Sequence, residues 1–233
     1  MIDVTLIPPP CMSLNDAAEL YVPAFRRGIE YTSLCRVEGD VLEFGTNHGF
    51  TARVLAQTMA AHRHSGMLML YDSWEGFPEM VGADAGCPEV IYGAWKQGDC
   101  NPRDADHDVK IHAALTPILN GRVRTIKGYY SDTLPHNLPV KASVVHIDCD
   151  LYSSTMEVLS ALIDNNTLSD GAVLYFDEFN NNVASNKFGE RKAVHDIFCN
   201  YQDGQRFTAN GKYSIELWFT YGWSGYAFLV HRG

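Results

Sequence analysis

Apolar runs and helical repeats alternate along this chain. Val41, Leu42 and Phe44 make a short apolar run that predicts a buried strand, and Ala52, Val54, Leu55 and Met59 then recur at helical spacing. Met67 to Tyr71 predicts a second buried strand, closing in Asp72. Val109 to Leu119 predicts a helix stopped by Asn120-Gly121, followed by a third strand over Val123 to Ile126. Ala142 to Ile147 and Ala172 to Phe176 predict the fourth and fifth strands, the latter entered through a turn at Asp170-Gly171. Between them, Ser154-Thr155-Met156-Glu157 reads as a capping box that opens a helix carrying Met156, Leu159, Leu162 and Ile163. A helix over Glu190 to Tyr201 precedes two strands, Tyr213 to Tyr221 and Gly225 to His231, joined by a Gly-Trp-Ser-Gly turn.

Two stretches break this alternation. Ser13 to Leu34 has helical spacing in two pieces separated by Pro23, which predicts a broken N-terminal helical cap over residues 1–38. Residues 73–108 scatter glycine, proline, aspartate and aromatics with little periodicity, as in a functional loop, and are expected to form a partly helical lid that is mobile without ligand. Strands alternating with helices predict an α/β fold with a mostly parallel sheet covered on both faces, in a single domain spanning 1–233.

Ligands of such sheets lie beyond the carboxyl ends of the strands, and the chemistry-bearing residues collect there. After the first strand comes Glu43-x-Gly45-x-x-x-Gly49, where Gly45 permits a sharp turn and Gly49 lets the chain pass close to a bound molecule. Asn47 replaces the middle glycine of a dinucleotide fingerprint, which disfavours NAD and a dehydrogenase and favours a ligand with a carboxylate and an adenosine, such as S-adenosylmethionine. The start of the following helix suits the carboxylate. Asp72 is placed to accept hydrogen bonds from ribose hydroxyls. Gly128 and Tyr129 stand at the third strand end.

Asp148 and Asp150 after the fourth strand, with Asp177 and Glu178 after the fifth, form an acidic cluster if those strands are neighbours. Period two puts His146, Asp148 and Asp150 on one side. Converging carboxylates must protonate or bind a cation, and oxygen donors suit Mg²⁺. His146 reads as a hydrogen-bonded core histidine, and His48, in the glycine turn, as exposed enough to touch ligand.

Composition narrows the partners. A formal net charge of −10 argues against nucleic acid or an anionic membrane as the main partner, and no apolar run is long enough to span a bilayer. Met1 to Met12 has three consecutive prolines and no basic start, unlike a secretory signal. Six scattered cysteines (11, 35, 87, 100, 149, 199) contain no C-x-x-C pair, so reduced thiols in a cytoplasmic protein are expected rather than zinc or disulfides.

The stretches "GDVLEFGTNHGFTA", "YDSWEGFPE", "IKGYYSDTLP", "HIDCDLYSSTMEVL" and "GAVLYFDEF" resemble, in order, the macrocin O-methyltransferase (TylF/MycF/NovP-like) family, across roughly Gly39 to Asn180. The resemblance implies a Rossmann-like class I methyltransferase fold, with a mostly parallel sheet, an antiparallel C-terminal strand and helices on both faces. It implies S-adenosylmethionine as donor and Mg²⁺ on strand-end carboxylates. Carried over by motif, Glu43, Gly45 and Thr51 line the methionine part, with Thr46 and Gly49 in the same turn. Asp72 and Ser73 lie at the ribose, Gly128, Tyr129 and Ser131 near the adenine, and Asp148 faces the methionine amino group. Asp150, Asp177 and Glu178 bind metal, and Asp150 is in addition the expected catalytic base. The sequence departs from the family at Asn47-His48, where a tryptophan-arginine pair is usual, and at Asp177-Glu178, where paired aspartates are usual. The expected acceptor is a small molecule, a sugar or glycoside, with a homo-oligomer left open. The alternatives are a catechol or phenol O-methyltransferase and a non-catalytic domain that binds S-adenosylmethionine.

Overall fold

The computed structural model describes residues 3–9 and 12–233, and Met1, Ile2, Pro10 and Cys11 lie outside it, so expectations that rest on them, including the Cys11 thiol, have no structural counterpart. The elements run α1 (Leu14–Leu34), β1 (Asp40–Phe44), α2 (Phe50–Ala61), β2 (Leu68–Asp72), α3 (Pro88–Ile91), α4 (His107–Leu119) and β3 (Val123–Lys127). They continue with α5 (Tyr130–Asn137), β4 (Ala142–Ile147), α6 (Tyr152–Asp164), β5 (Leu168–Phe176), α7 (Gly189–Ile197), β6 (Asn200–Gln202), β7 (Gln205–Phe207), β8 (Tyr213–Tyr221) and β9 (Gly225–Arg232).

All nine strands join one sheet in the order β3-β2-β1-β4-β5-β9-β8-β7-β6. The first five are mutually parallel, and β9, β8, β7 and β6 are antiparallel to their neighbours. The mostly parallel sheet thus ends in an antiparallel C-terminal stretch, in which the β6–β7 hairpin joins the two strands expected from the sequence. Alternation along the strands feeds two cores. Val41, Leu68, Leu70, Val144 and Val173 pack with α1, α2 and α4, while Leu42, Phe44, Val145, Ile147 and Leu174 pack with α5, α6 and α7. Helices thus cover both faces of the parallel part, as the apolar strands require.

Several local expectations are corrected. Pro23 does not break the N-terminal helix, because it lies on the exposed side of a 21-residue α1 whose Ala17, Tyr21, Ala24, Phe25 and Ile29 are buried. Packing of that face outweighs the lost backbone bond. Residues Ser154 to Glu157 form no capping box, since α6 already begins at Tyr152. Asp170-Gly171 lies inside β5, at an irregularity of register, with Gly171 at φ 78°. The last helix stops at Ile197 and gives way to the β6–β7 hairpin, whose Asp203-Gly204 turn has φ 51° and 84°. α5 has no counterpart among the elements expected from spacing; it contains Pro135, and only Thr133 and Leu134 of its residues are buried. Among the described residues no helix is long and apolar enough to cross a membrane.

Candidate active site

The strand order reverses between β1 and β4, since β2 and β3 lie on one side of β1 and β4 and β5 on the other. A crevice must open beyond the carboxyl ends of that pair. There Gly45 (φ 91°) passes so close to β4 that a Cβ would stand 1.8 Å from the Asp148 carbonyl oxygen. Only glycine fits.

Two cavities meet at this point. One, of about 220 Å³, is lined by Gly45, Asp72, Ser73, Gly128, Tyr129, Ser131, Asp148 and Asp150, together with Asn47, Phe77 and Cys100. The other, of about 270 Å³, is lined by Thr46, Gly49, Thr51, Asp177 and Glu178, with Tyr21, Trp95, Tyr221 and Trp223. Gly45, Asn47, Cys100, Asp148 and Asp150 border both. Of the residues expected to bind donor or metal, Glu43 lies outside both linings, as does His146, which was expected in the core. Glu43 is fully buried, with Oε1 3.1 Å from His146 Nδ1 and Oε2 without a hydrogen-bond partner.

Asp72 ties the glycine turn to the insertion. Its Oδ2 accepts from Asn47 N at 2.7 Å and its Oδ1 from Trp74 N at 2.6 Å, while Trp74 Nε1 donates to Asn47 O at 2.8 Å. Burial raises its pKa, and the backbone donors oppose that rise. Each oxygen has capacity for a further hydrogen bond, and Asp72 lines the first cavity. Trp74 is held at φ 49°, uncommon for so bulky a side chain, and is buried.

Several contacts tie the insertion over 73–108 to the rest of the fold. Phe77 N donates to Asp99 O at 2.9 Å, the Phe77 ring packs at a tilt against Trp95, and Glu89 Oε1 accepts from Asn182 N at 2.8 Å. The buried Asp84 accepts from Tyr152 N and Ser153 N at 2.7 and 3.2 Å. It supplies the cap of α6 that the sequence reading assigned to Ser154.

The acidic groups converge. Oxygens of Asp148, Asp177 and Glu178 lie within 4.8 Å of one another, a spacing that could hold a cation. Asp150 stands outside this trio. β4 ends at Ile147, so strand alternation does not reach Asp150, which adopts a left-handed conformation (φ 60°) and borders both cavities. Burial, with Asp177 next, pushes the carboxyl of Asp148 well above its usual range. Burial together with Asp177 and Asp72 raises Asp150 to about 7. Burial, then Asp150 and Asp177, raises Glu178 to about 10, and its Oε2 is buried without a partner. Such a donor set is underneutralised and fits a hard divalent cation.

Four contributors were missed. Glu190 on α7 is fully buried and accepts from Cys149 N and Glu178 N at 3.2 and 3.0 Å, bracing both acidic strand ends. Glu89, from the insertion, faces Asp150 and Glu178. Tyr21 donates to Asp177 Oδ2 at 2.8 Å, so α1 reaches the cluster. Trp223, 69% exposed, sits on the rim of the second cavity with its carbonyl held by Asn180 Nδ2 at 3.0 Å. Glu190 and Tyr21 occupy ordinary amphipathic helix positions, and no spacing marks them. His48 lines the second cavity beside His107, with burial and then His107 lowering its pKa. Cys35, Cys87, Cys100, Cys149 and Cys199 are free thiols.

With this geometry in view, the sequence profile of the macrocin-O-methyltransferase (TylF) family matches residues 21–201. The chain belongs to that family. A curated relative, the 8-demethyl-8-(2,3-dimethoxy-alpha-L-rhamnosyl)-tetracenomycin-C 4'-O-methyltransferase of Streptomyces olivaceus, is 28% identical over 166 residues, which are 71% of this chain and 60% of the relative. The chain therefore spans about three-fifths of the length of that relative. Among solved structures, the O-methyltransferase NovP is similar with a TM-score of 0.70 at 19% identity, covering 91% of this chain and 79% of that one. CalS11, a calicheamicin methyltransferase, is similar with a TM-score of 0.68 at 19% identity, covering 97% and 88%. The class I methyltransferase fold inferred from the motifs is thus the fold of the chain.

Proposed function

We propose that this chain is a cytoplasmic, single-domain O-methyltransferase that moves a methyl group from S-adenosylmethionine to a sugar hydroxyl of a glycoside, with Mg²⁺ held by Asp148, Asp177 and Glu178. The observation that carries the reading is the meeting of two cavities at Gly45, Asp148 and Asp150. The first compartment carries the residues expected at the ribose and adenosine, the second those expected at the methionine end of the donor together with room for an acceptor, and a displacement needs both reacting atoms at their junction. Family membership and the sugar-modifying relative support the donor and the reaction class.

In this reading Asp72 meets the ribose, Ser73, Gly128, Tyr129 and Ser131 border the adenosine, and the start of α2 behind Thr51 takes the donor carboxylate. Mg²⁺, when bound, would lower the pKa of an acceptor hydroxyl and hold its oxygen. Asp150, beside the trio and not within it, takes the hydroxyl proton as the oxygen–methyl bond forms and the sulfur–methyl bond breaks. Glu190 holds the Cys149 and Glu178 amides so that both acidic ends keep their places.

The acceptor compartment narrows the substrate. Its described lining includes four carboxylates and the apolar side chains of Ile7, Pro8, Pro9, Met12 and Leu20, and no lysine or arginine. A nucleoside diphosphate would find no lysine or arginine to pair with among these residues, whereas a neutral or amine-bearing sugar on an apolar aglycone needs none. The test is incubation with labelled S-adenosylmethionine and a panel of sugars, glycosides, nucleotide sugars and catechols, with and without chelator. Label appearing on a glycoside only without chelator supports the reading, and label appearing solely on catechols, or on nothing although the donor binds, removes it.

A further inference from the structure

Two side chains approach Asp177, one from α1 and one from β4. Tyr21 donates to Oδ2 at 2.8 Å, and His146 places Nε2, which has no hydrogen-bond partner, at an ion-pair distance of 3.8 Å from Oδ1. The other nitrogen of His146, Nδ1, is 3.1 Å from Glu43 Oε1. β1 and β4 put Glu43 and His146 directly opposite one another, and both are fully buried. The Phe25 ring lies edge-on to the imidazole at 4.9 Å and that of Tyr21 at 6.4 Å, which leaves the imidazole little freedom to turn.

We propose that His146 is a positioning residue for the metal centre: anchored by Glu43, it acts with Tyr21 to fix both oxygens of Asp177 in one orientation toward the cation. The inference rests on the magnesium reading given above. A packing role alone would not call for this arrangement. An apolar residue of like volume would fill the space without burying Glu43 beside it, and a buried carboxylate without a partner is costly. Asp177, in turn, stands among Asp148, Asp150 and Glu178, whose repulsion would turn its carboxylate away unless something held it. Groups that orient a metal ligand from behind contribute to metal affinity without touching the ion.

The test separates the two ends of the imidazole. A glutamine amide reaches the place of Nε2, toward Asp177, and an asparagine amide the place of Nδ1, toward Glu43. Mg²⁺ binding is measured by calorimetry on the full chain saturated with S-adenosylhomocysteine, whose own affinity reports that each variant is folded. His146→Gln is expected to keep Mg²⁺ affinity within about threefold of wild type, and His146→Asn to lose about tenfold or more, the scale of such supporting contacts. Tyr21→Phe should weaken Mg²⁺ in the same direction, and raised Mg²⁺ should restore turnover in His146→Asn. Equal losses in the glutamine and asparagine variants, or no loss in either, would overturn the proposal. A wild-type protein that binds S-adenosylhomocysteine but no Mg²⁺ would overturn the metal reading and this inference with it.

Discussion

Asp84, in the middle of the irregular insertion, caps α6 through the backbone amides of Tyr152 and Ser153 at 2.7 and 3.2 Å. α6 carries Ser153, Ser154 and Glu157 into the wall of the donor compartment, so the insertion and the cofactor site share a support. Asp84→Ala should lower the unfolding free energy by about 1 kcal/mol, the usual cost of a lost N-cap. It should also weaken S-adenosylhomocysteine binding, while Asp84→Asn should retain most of both. Denaturant unfolding and calorimetry check this, and an unchanged Asp84→Ala would mean that the contact stabilises nothing.

Asp72 holds the glycine turn and the start of the insertion together through Asn47 N and Trp74 N. Its removal leaves buried donors unpaired as well as taking away the ribose acceptor. Asp72→Ala should therefore weaken donor binding by roughly 1–3 kcal/mol. A dissociation constant for S-adenosylhomocysteine unchanged by the substitution would exclude both roles.

At Gly45 a methyl group has no room, because its carbon would lie 1.8 Å from the Asp148 carbonyl oxygen. Gly45→Ala must part β1 from β4 at the junction of the two compartments. We expect loss of turnover and of donor affinity together, with far-ultraviolet circular dichroism retained. Activity within a few-fold of wild type would show that the crevice adapts where the geometry says that it does not.

Trp223 presents its ring at the acceptor rim on a turn fixed by Asn180. Trp223→Ala should raise KM for an aryl glycoside while leaving S-adenosylhomocysteine affinity alone, and should hardly affect the corresponding methyl glycoside. With wild type, a nucleoside diphosphate sugar should be a poorer acceptor than the aryl glycoside. Steady-state kinetics on the three acceptors checks both expectations, and preference for the nucleotide sugar would contradict the charge argument.

The parallel half of the fold was legible because its strands are short apolar runs bounded by glycine and aspartate, and each run maps onto an observed strand. The placement of the candidate site was legible in the same way, since Gly45, Asp72, Asp148, Asp177 and Glu178 stand at strand ends, with Asp150 in the loop just beyond β4. What sequence spacing did not carry was tertiary. Pro23 was read as a break because the pattern shows the lost amide and hides the buried face that holds α1 straight. The cap of α6 comes from Asp84, far away in sequence, and the nearby Ser154–Glu157 pattern misled. Glu190 and Tyr21 look like any helix residue until the fold folds them onto Glu178 and Asp177. The Asp203-Gly204 turn, by contrast, was a readable hairpin signal that the polar residues around it obscured.

The proposed mechanism divides labour among the carboxylates, assigning Asp148, Asp177 and Glu178 to the cation and Asp150 to the proton. Comparing Asp150→Asn with Asp177→Asn tests it most directly, by Mg²⁺ calorimetry and single-turnover methyl transfer on the same preparations. Asp150→Asn should bind Mg²⁺ and donor much as wild type does while transferring methyl at least about 10²-fold more slowly, the scale of general-base loss. Asp177→Asn should lose Mg²⁺ itself. An Asp150→Asn protein that loses Mg²⁺ as completely as Asp177→Asn, or that transfers methyl at the wild-type rate, would contradict the account.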